Sequence, residues 1–119
     1  SNTHIGNHNY FIMEACEYVD SFLHFHPTSA IITNIDNDHL DYFKNLDNIK
    51  KSFHKYVGLL PEDGYLVKNN DDKNSNNLEK YTKAHVITYG INNFADYEAK
   101  NITCNNLGHY SFDITIINM

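Results

Sequence analysis

Glu14, Asp36, Asp38, His39 and Asp41 are four carboxylates and an imidazole that follow closely on two apolar runs. Tyr10-Phe11-Ile12-Met13 breaks into Glu14, and Ala30-Ile31-Ile32 breaks through Thr33 and Asn34 into "DNDHLD". Carboxylate oxygens and a neutral imidazole nitrogen are ligand types for a divalent cation, with oxygen the donor that Mg²⁺ prefers. If both runs are parallel strands, their carboxyl ends lie where open α/β sheets bind ligands, so two strand ends would build one site. The competing reading makes Glu14, Asp38 and His39 ordinary polar loop residues, since short motifs often match by chance. Spacing alone leaves both readings open.

Other candidates are weaker. His24-x-His26 lacks a third ligand at zinc spacing. Cys16 is in no context that marks a reactive thiol, and a small buried residue is the simpler expectation. Lys50-Lys51 fits the solvated side of a helix. The five glycines, Gly6, Gly58, Gly64, Gly90 and Gly108, are all isolated, so the chain holds no glycine-rich phosphate loop.

The elements that would carry these groups are legible in outline. Residues 9–14 and 30–35 read as continuous apolar strands of the kind buried on both faces. Pro27 punctuates the short stretch between them. Leu46, Ile49, Phe53, Tyr56, Val57 and Leu60 recur at helical spacing, with Asn45 or Asp47 as N-cap and Pro61 beyond the end. Asp63-Gly64 signals a turn, and "YLVKN" after it reads as a third strand. "NNDDKNSNN", residues 69–77, reads as a polar surface loop whose asparagines reflect compositional bias, followed by a short helix near 78–83. "HVITYG", 85–90, reads as a fourth strand. Tyr110, Phe112, Ile114 and Ile116 alternate with polar residues, as in a half-exposed antiparallel strand paired with 95–102 across "NNLGH".

At 119 residues the chain suits one small domain. Its net charge of −6 argues against nucleic-acid binding, which needs a basic face. No apolar run is long enough to span a bilayer, so no membrane role is expected. The first ten residues lack the pattern of a signal peptide. Two cysteines, Cys16 and Cys104, suit a reducing compartment better than a disulfide scaffold.

The stretch "EACEYVDSFLHFHPTSAIITNIDNDHLDYFKNLDNIKKSFHKYV", followed by "LPEDGYLVKNNDD" and "VITYG", resembles the central ATP-binding domain of the Mur ligases, collinearly over nearly the whole chain. The resemblance implies a P-loop NTPase-like α/β fold: a mostly parallel sheet flanked by helices, with a C-terminal antiparallel pair. It implies ATP-driven amide formation through an acyl phosphate, with Mg²⁺ or Mn²⁺ neutralising phosphate charge. Glu14 and His39 align with metal-binding, catalytic positions. Asn34 and Asp38 lie in the same motif and are expected beside the cofactor. The family's Gly-Lys-Thr phosphate loop and its amino-acid-binding domain have no counterpart here, so residues 1–119 are expected to be part of a central domain and inactive alone. Relatives that add later amino acids carry a carbamylated lysine about fifteen residues after the histidine. Counting places His54 there, with Lys51 and Lys55 nearby. That favours the alanine-adding branch, whose partners would be UDP-N-acetylmuramate, L-alanine and ATP in the cytoplasm, for peptidoglycan synthesis. Rival expectations are another Mur ligase, a folylpolyglutamate synthase relative, or a non-catalytic metal-binding module; oligomeric state is not legible.

Overall fold

The computed structural model describes residues 5–6, 8–15, 18–36 and 45–117. Five strands form one sheet in the order β1-β2-β3-β4-β5: β1 Ser29–Ile32, β2 Tyr65–Asn69, β3 His85–Gly90, β4 Tyr97–Cys104 and β5 Tyr110–Ile116. The first four run parallel, and β4 and β5 pair antiparallel. Among the described residues, the α-helix α1 (Leu46–Gly58) lies between β1 and β2, and short 3-10 turns cover Tyr18–His24, Lys73–Ser75 and Leu78–Tyr81.

The helix forms as its sequence dictates. Asn45 caps it, its side-chain oxygen accepting the Asn48 N–H at 2.9 Å. Ile49, Tyr56 and Val57 turn inward on one stripe and pack with Leu60 against Ala30, Ile32 and Leu66 of the sheet. Phe22, from the first 3-10 turn, closes this core by stacking on Tyr56 at 4.4 Å and meeting Phe53 edge-on at 5.2 Å. Asp20, held at φ 55°, accepts a hydrogen bond from Ser52 on α1. Lys68 is the buried cation of β2. Its Nζ donates to the Ser75 carbonyl and pairs with Glu79, each at 3.1 Å, which ties both later 3-10 turns to the strand.

Three expectations are corrected. Residues 9–14 do not form a strand: Tyr10, Phe11 and Ile12 are exposed and the segment is irregular. Apolar composition marks a segment suited to burial, but a strand also needs a partner's ladder, and among the described residues β1 pairs only with β2. β1 is not buried on both faces. Ala30 and Ile32 face α1, while Ile31 is 70% exposed on the other side. It also ends at Ile32 rather than residue 35.

The β3–β4 pairing was not foreseen. Parallel neighbours normally need a crossover of a dozen or more residues, yet only residues 91–96 separate these two strands. The connection is possible because the ladder has two rungs, Tyr89–Tyr97 and Gly90–Glu98, after which β4 runs on beside β5. Asp96 fixes the junction, its carboxylate accepting the Thr88 N–H and hydroxyl while its own N–H donates to Thr88 Oγ1. The expected hairpin across 105–109 is present, with Asn105 Oδ1 accepting the N–H groups of Leu107 and His109. A register irregularity between Lys100 and Thr103 puts Asn101 at φ 53°.

Candidate functional site

Glu14 lies in the irregular segment before the first 3-10 turn, with its side chain exposed. The next residue, Ala15, packs against the core, so the main chain beside Glu14 is anchored while the carboxylate stays in solvent. Asn34 is likewise exposed, just past the carboxyl end of β1. Asp38 and His39 lie outside the described residues, as do Asp41 and Cys16. The expected approach of Glu14 to His39 therefore also falls outside them.

Between Asn34 and Asp36 the chain is gripped. Ile35 is buried, and both of its main-chain polar groups are bonded to side chains of the loop after β2. Its N–H donates to Asp72 Oδ2 at 2.8 Å, and its carbonyl accepts from Asn74 Nδ2 at 2.8 Å. One step back, the Thr33 carbonyl accepts from Asn69 Nδ2 at 3.1 Å.

The same loop reaches the other way. Asp71 accepts the N–H groups of Ile91, Asn92 and Asn93, at 2.6 to 3.1 Å. Asn70 Nδ2 donates to the Phe94 carbonyl at 2.8 Å. One loop leaving β2, which lies between β1 and β3, thus fastens the segments that follow both neighbours, all at the carboxyl edge of the parallel strands. Reading "NNDDKNSNN" as compositional bias is corrected by these contacts. The available signal was Asn and Asp immediately after a strand, where their short side chains bond to main-chain groups of neighbouring turns.

Burial would raise the Asp71 pKa, but the hydrogen bonds from Ile91, Asn92 and Asn93 outweigh it and hold the carboxyl below its ordinary 3.8. A carboxylate with a depressed folded pKa contributes stability above its unfolded value, and loses it as pH falls through the folded one. The 91–93 turn is therefore expected to stay fastened above about pH 4 and to loosen under more acid conditions. Asp71→Asn should flatten this part of the acid-unfolding profile. An acid limb of unchanged slope and midpoint in that variant would refute the assignment.

His54, at the counted position of the carbamylated lysine, stacks on Tyr81 with centroids 3.7 Å apart and planes 3° from parallel. Burial, and then the nearby Lys50 charge, lower its pKa below 6.5. Its contact is thus a packing one, between α1 and the Leu78–Tyr81 turn. Lys51 and Lys55 are exposed, as the solvated side of a helix requires. His24 and His26 are exposed too, and among the described residues no group of three or more His, Cys, Asp or Glu could hold a metal. A separate apolar depression of about 490 Å³ opens where β3, β4 and β5 meet, lined by Tyr89, Ile91, Tyr97, Ile102, Tyr110 and Phe112 among others.

A largely parallel sheet with its polar side chains gathered at the carboxyl edge defines an α/β domain of the type that binds ligands at that edge. The family model of the Mur ligase middle domain matches residues 2–118, and the chain belongs to that family. It is 49% identical over 113 residues to the UDP-N-acetylmuramate–L-alanine ligase of Caldanaerobacter subterraneus subsp. tengcongensis, a match covering 95% of this chain and 25% of the relative. It is 48% identical over 113 residues to the ligase of the same name from Clostridium tetani, with coverages of 95% and 25%. The chain thus spans about a quarter of the length of these curated relatives. Among solved structures it resembles the UDP-N-acetylmuramate:L-alanyl-gamma-D-glutamyl-meso-diaminopimelate ligase from Neisseria meningitides, at TM-score 0.68 and 28% identity, covering 87% of this chain and 33% of that one. MurF ligase from Thermotoga maritima shares the fold at TM-score 0.60 and 18% identity, over 74% of this chain and 20% of that one. The expected fold class, a mostly parallel sheet with an antiparallel pair at its end, is the one observed.

Proposed function

We propose that this chain is part of the middle domain of an ATP-dependent ligase that joins L-alanine to UDP-N-acetylmuramate in the cytoplasm, for peptidoglycan synthesis. The observation that carries this reading is near-50% identity, over almost the whole chain, to relatives bearing that name. The fold agrees, and no described helix is long and apolar enough to cross a membrane. Cys104 is an exposed free thiol, which suits a reducing compartment.

In the proposed reaction a carboxylate oxygen of UDP-N-acetylmuramate attacks the γ-phosphorus of ATP, and ADP leaves. The amine of L-alanine then attacks the acyl phosphate carbonyl, loses a proton, and expels inorganic phosphate. Such chemistry is carried mainly by positioning and by neutralisation of phosphate charge. Mg²⁺ or Mn²⁺ would supply that neutralisation. Glu14 fits it in type, being an exposed carboxylate oxygen donor on an anchored main chain. His39 is proposed as its partner ligand, and Asn34 and Asp38 as polar groups beside the cofactor. The phosphate loop and the amino-acid-binding domain are proposed to reside elsewhere in the intact protein, consistent with the quarter-length match.

The test is a coupled assay of the intact protein with UDP-N-acetylmuramate, L-alanine and Mg-ATP. ADP, phosphate and the alanyl product are expected in equal amounts. Residues 1–119 alone should show no turnover, because losing positioned phosphate-stabilising groups typically costs orders of magnitude. An intact protein that uses another amino acid in preference to L-alanine, or makes no amide, would reject the reading.

A further inference from the structure

The hydrogen bonds that reach Ile35 ask for more than a structural explanation. The β1–β2 ladder ends at the Ile32–Lys68 pair. Beyond that pair, side chains of the segment after β2 take hold of the chain at Thr33 and Ile35. Asp72 accepts the Ile35 N–H, Asn74 donates to the Ile35 carbonyl, and Asn69 donates to the Thr33 carbonyl. Asp72 is in turn braced by the Ser75 hydroxyl and the Asn74 N–H. Ser75 is fully buried, and its carbonyl receives the buried Lys68 ammonium. The grip therefore rests on the interior of the domain and not on a freely swinging loop.

Burying the Ile35 side chain would by itself hold the segment to the core. Holding both of its main-chain groups as well sets the rotation of the chain about that anchor. This is what determines where the residues on either side project. Those residues are Asn34 and Asp36, both exposed at the carboxyl edge. The N–H to carboxylate bond is charge-assisted, hence shorter and stronger than a neutral one, and suited to a fixed geometry.

We propose that Asp72 and Asn74 are positioning residues for the amide-forming reaction. Through Ile35 they set the direction of the chain that carries Asn34 and Asp36 toward the proposed metal and nucleotide. The inference rests on the function proposed above. Groups that orient metal-site residues without touching the ion typically contribute 10–100-fold in metal affinity or activity, and that scale sets the expectation.

The experiment uses the intact protein. Mn²⁺ is titrated in the presence of a non-hydrolysable ATP analogue, with free ion read by electron paramagnetic resonance, and kcat is measured in parallel across Mg²⁺ concentrations. Asp72→Ala is expected to weaken Mn²⁺ binding by roughly ten-fold or more and to raise the Mg²⁺ needed for half-maximal rate by a similar factor. Asn74→Ala removes a single hydrogen bond to Ile35 and leaves Asp72 in place, so it tests the grip with the fold intact. It should move both quantities the same way by about three-fold. Asp72→Asn keeps an oxygen for the Ile35 N–H and should restore most of the affinity. Asp71→Ala, which releases residues 91–93 instead, should lower the thermal midpoint yet leave Mn²⁺ affinity within about two-fold.

Unchanged Mn²⁺ affinity and Mg²⁺ dependence in both Asp72→Ala and Asn74→Ala would overturn the inference while leaving the proposed function standing. Equal losses in Asp71→Ala and Asp72→Ala would also overturn it, by reducing the effect to general destabilisation. If Glu14→Ala and His39→Ala bind Mn²⁺ like the wild type, their assignment as metal ligands fails and the inference falls with it, while the coupled assay decides the proposed reaction separately.

Discussion

Glu14→Ala in the intact protein is expected to lower kcat by roughly two or more powers of ten while leaving the folded state nearly as stable as before. The two halves of this expectation come from the same geometry. The carboxylate is exposed, so its removal leaves no cavity and no orphaned partner in the core. Ala15 beside it continues to pin the main chain to the core. On the proposed function, what disappears is an oxygen donor to the cation that phosphoryl transfer would need in place. His39→Ala should match it, and Asn34→Ala should cost less. The checks are steady-state kinetics at saturating Mg²⁺ together with a denaturation midpoint. A near-wild-type kcat in Glu14→Ala would remove the residue from the site, whatever the midpoint shows.

The largest structural effect is expected at the opposite edge of the sheet. A Cβ on Gly64 would stand 2.0 Å from the Thr28 carbonyl oxygen and 3.1 Å from the Thr28 carbonyl carbon. Both are backbone atoms, and they lie one residue before β1 just as Gly64 lies one residue before β2. Gly64 is also tied in on both sides, its N–H donating to the Pro61 carbonyl at 3.0 Å and its own carbonyl accepting the His85 N–H at 2.9 Å. The starts of β1, β2 and β3 therefore converge on a position that has no room for a methyl group. Gly64→Ala should force β1 and β2 apart at the Ser29–Tyr65 pair and cost about 3 kcal/mol. Against a typical stability of roughly 5–15 kcal/mol, that is a large drop in the urea midpoint. Gly108 makes the comparison, since its Cβ would meet open space and only its φ of +79° resists substitution. Gly108→Ala should cost about 1–2 kcal/mol. A Gly64→Ala midpoint no lower than that of Gly108→Ala would contradict the steric account.

How much of this was legible in the sequence depended on whether a signal was local. The α1 stripe, its Asn45 cap, the strands β2 and β3 and the 105–109 hairpin are all written in neighbouring residues, and all are present. The 9–14 segment has the composition of a strand, but pairing is a property of two segments, and no described strand lies beside it. The parallel junction of β3 with β4 was missed because it depends on Asp71 and Asp96 reaching main-chain groups 8 to 22 residues away. The candidate site divides in the same manner. Glu14 and Asn34 were recognisable by type and motif, and both are exposed where they stand. Asp72 and Asn74 looked like polar filler because their partners at Ile35 are 37 and 39 residues distant.

The two-rung junction between β3 and β4 has a further consequence, for the way stability is distributed through the molecule. β1, β2 and β3 share long ladders and the α1-backed core, so they should come apart only together. The β4–β5 hairpin is joined to them by two ladder pairs and the Asp96 contacts, and its strands are mostly exposed. It is therefore expected to open as a unit of its own, at a lower free energy than the rest, which amide hydrogen exchange would show as weaker protection in β4 and β5 than in β2. The apolar depression among Tyr89, Tyr97, Tyr110 and Phe112 is built partly from that unit and partly from β3, so its walls belong to two pieces of unequal stability. Opening of the hairpin alone is therefore expected to part the depression while leaving the gripped carboxyl ends of β1 and β3 in place.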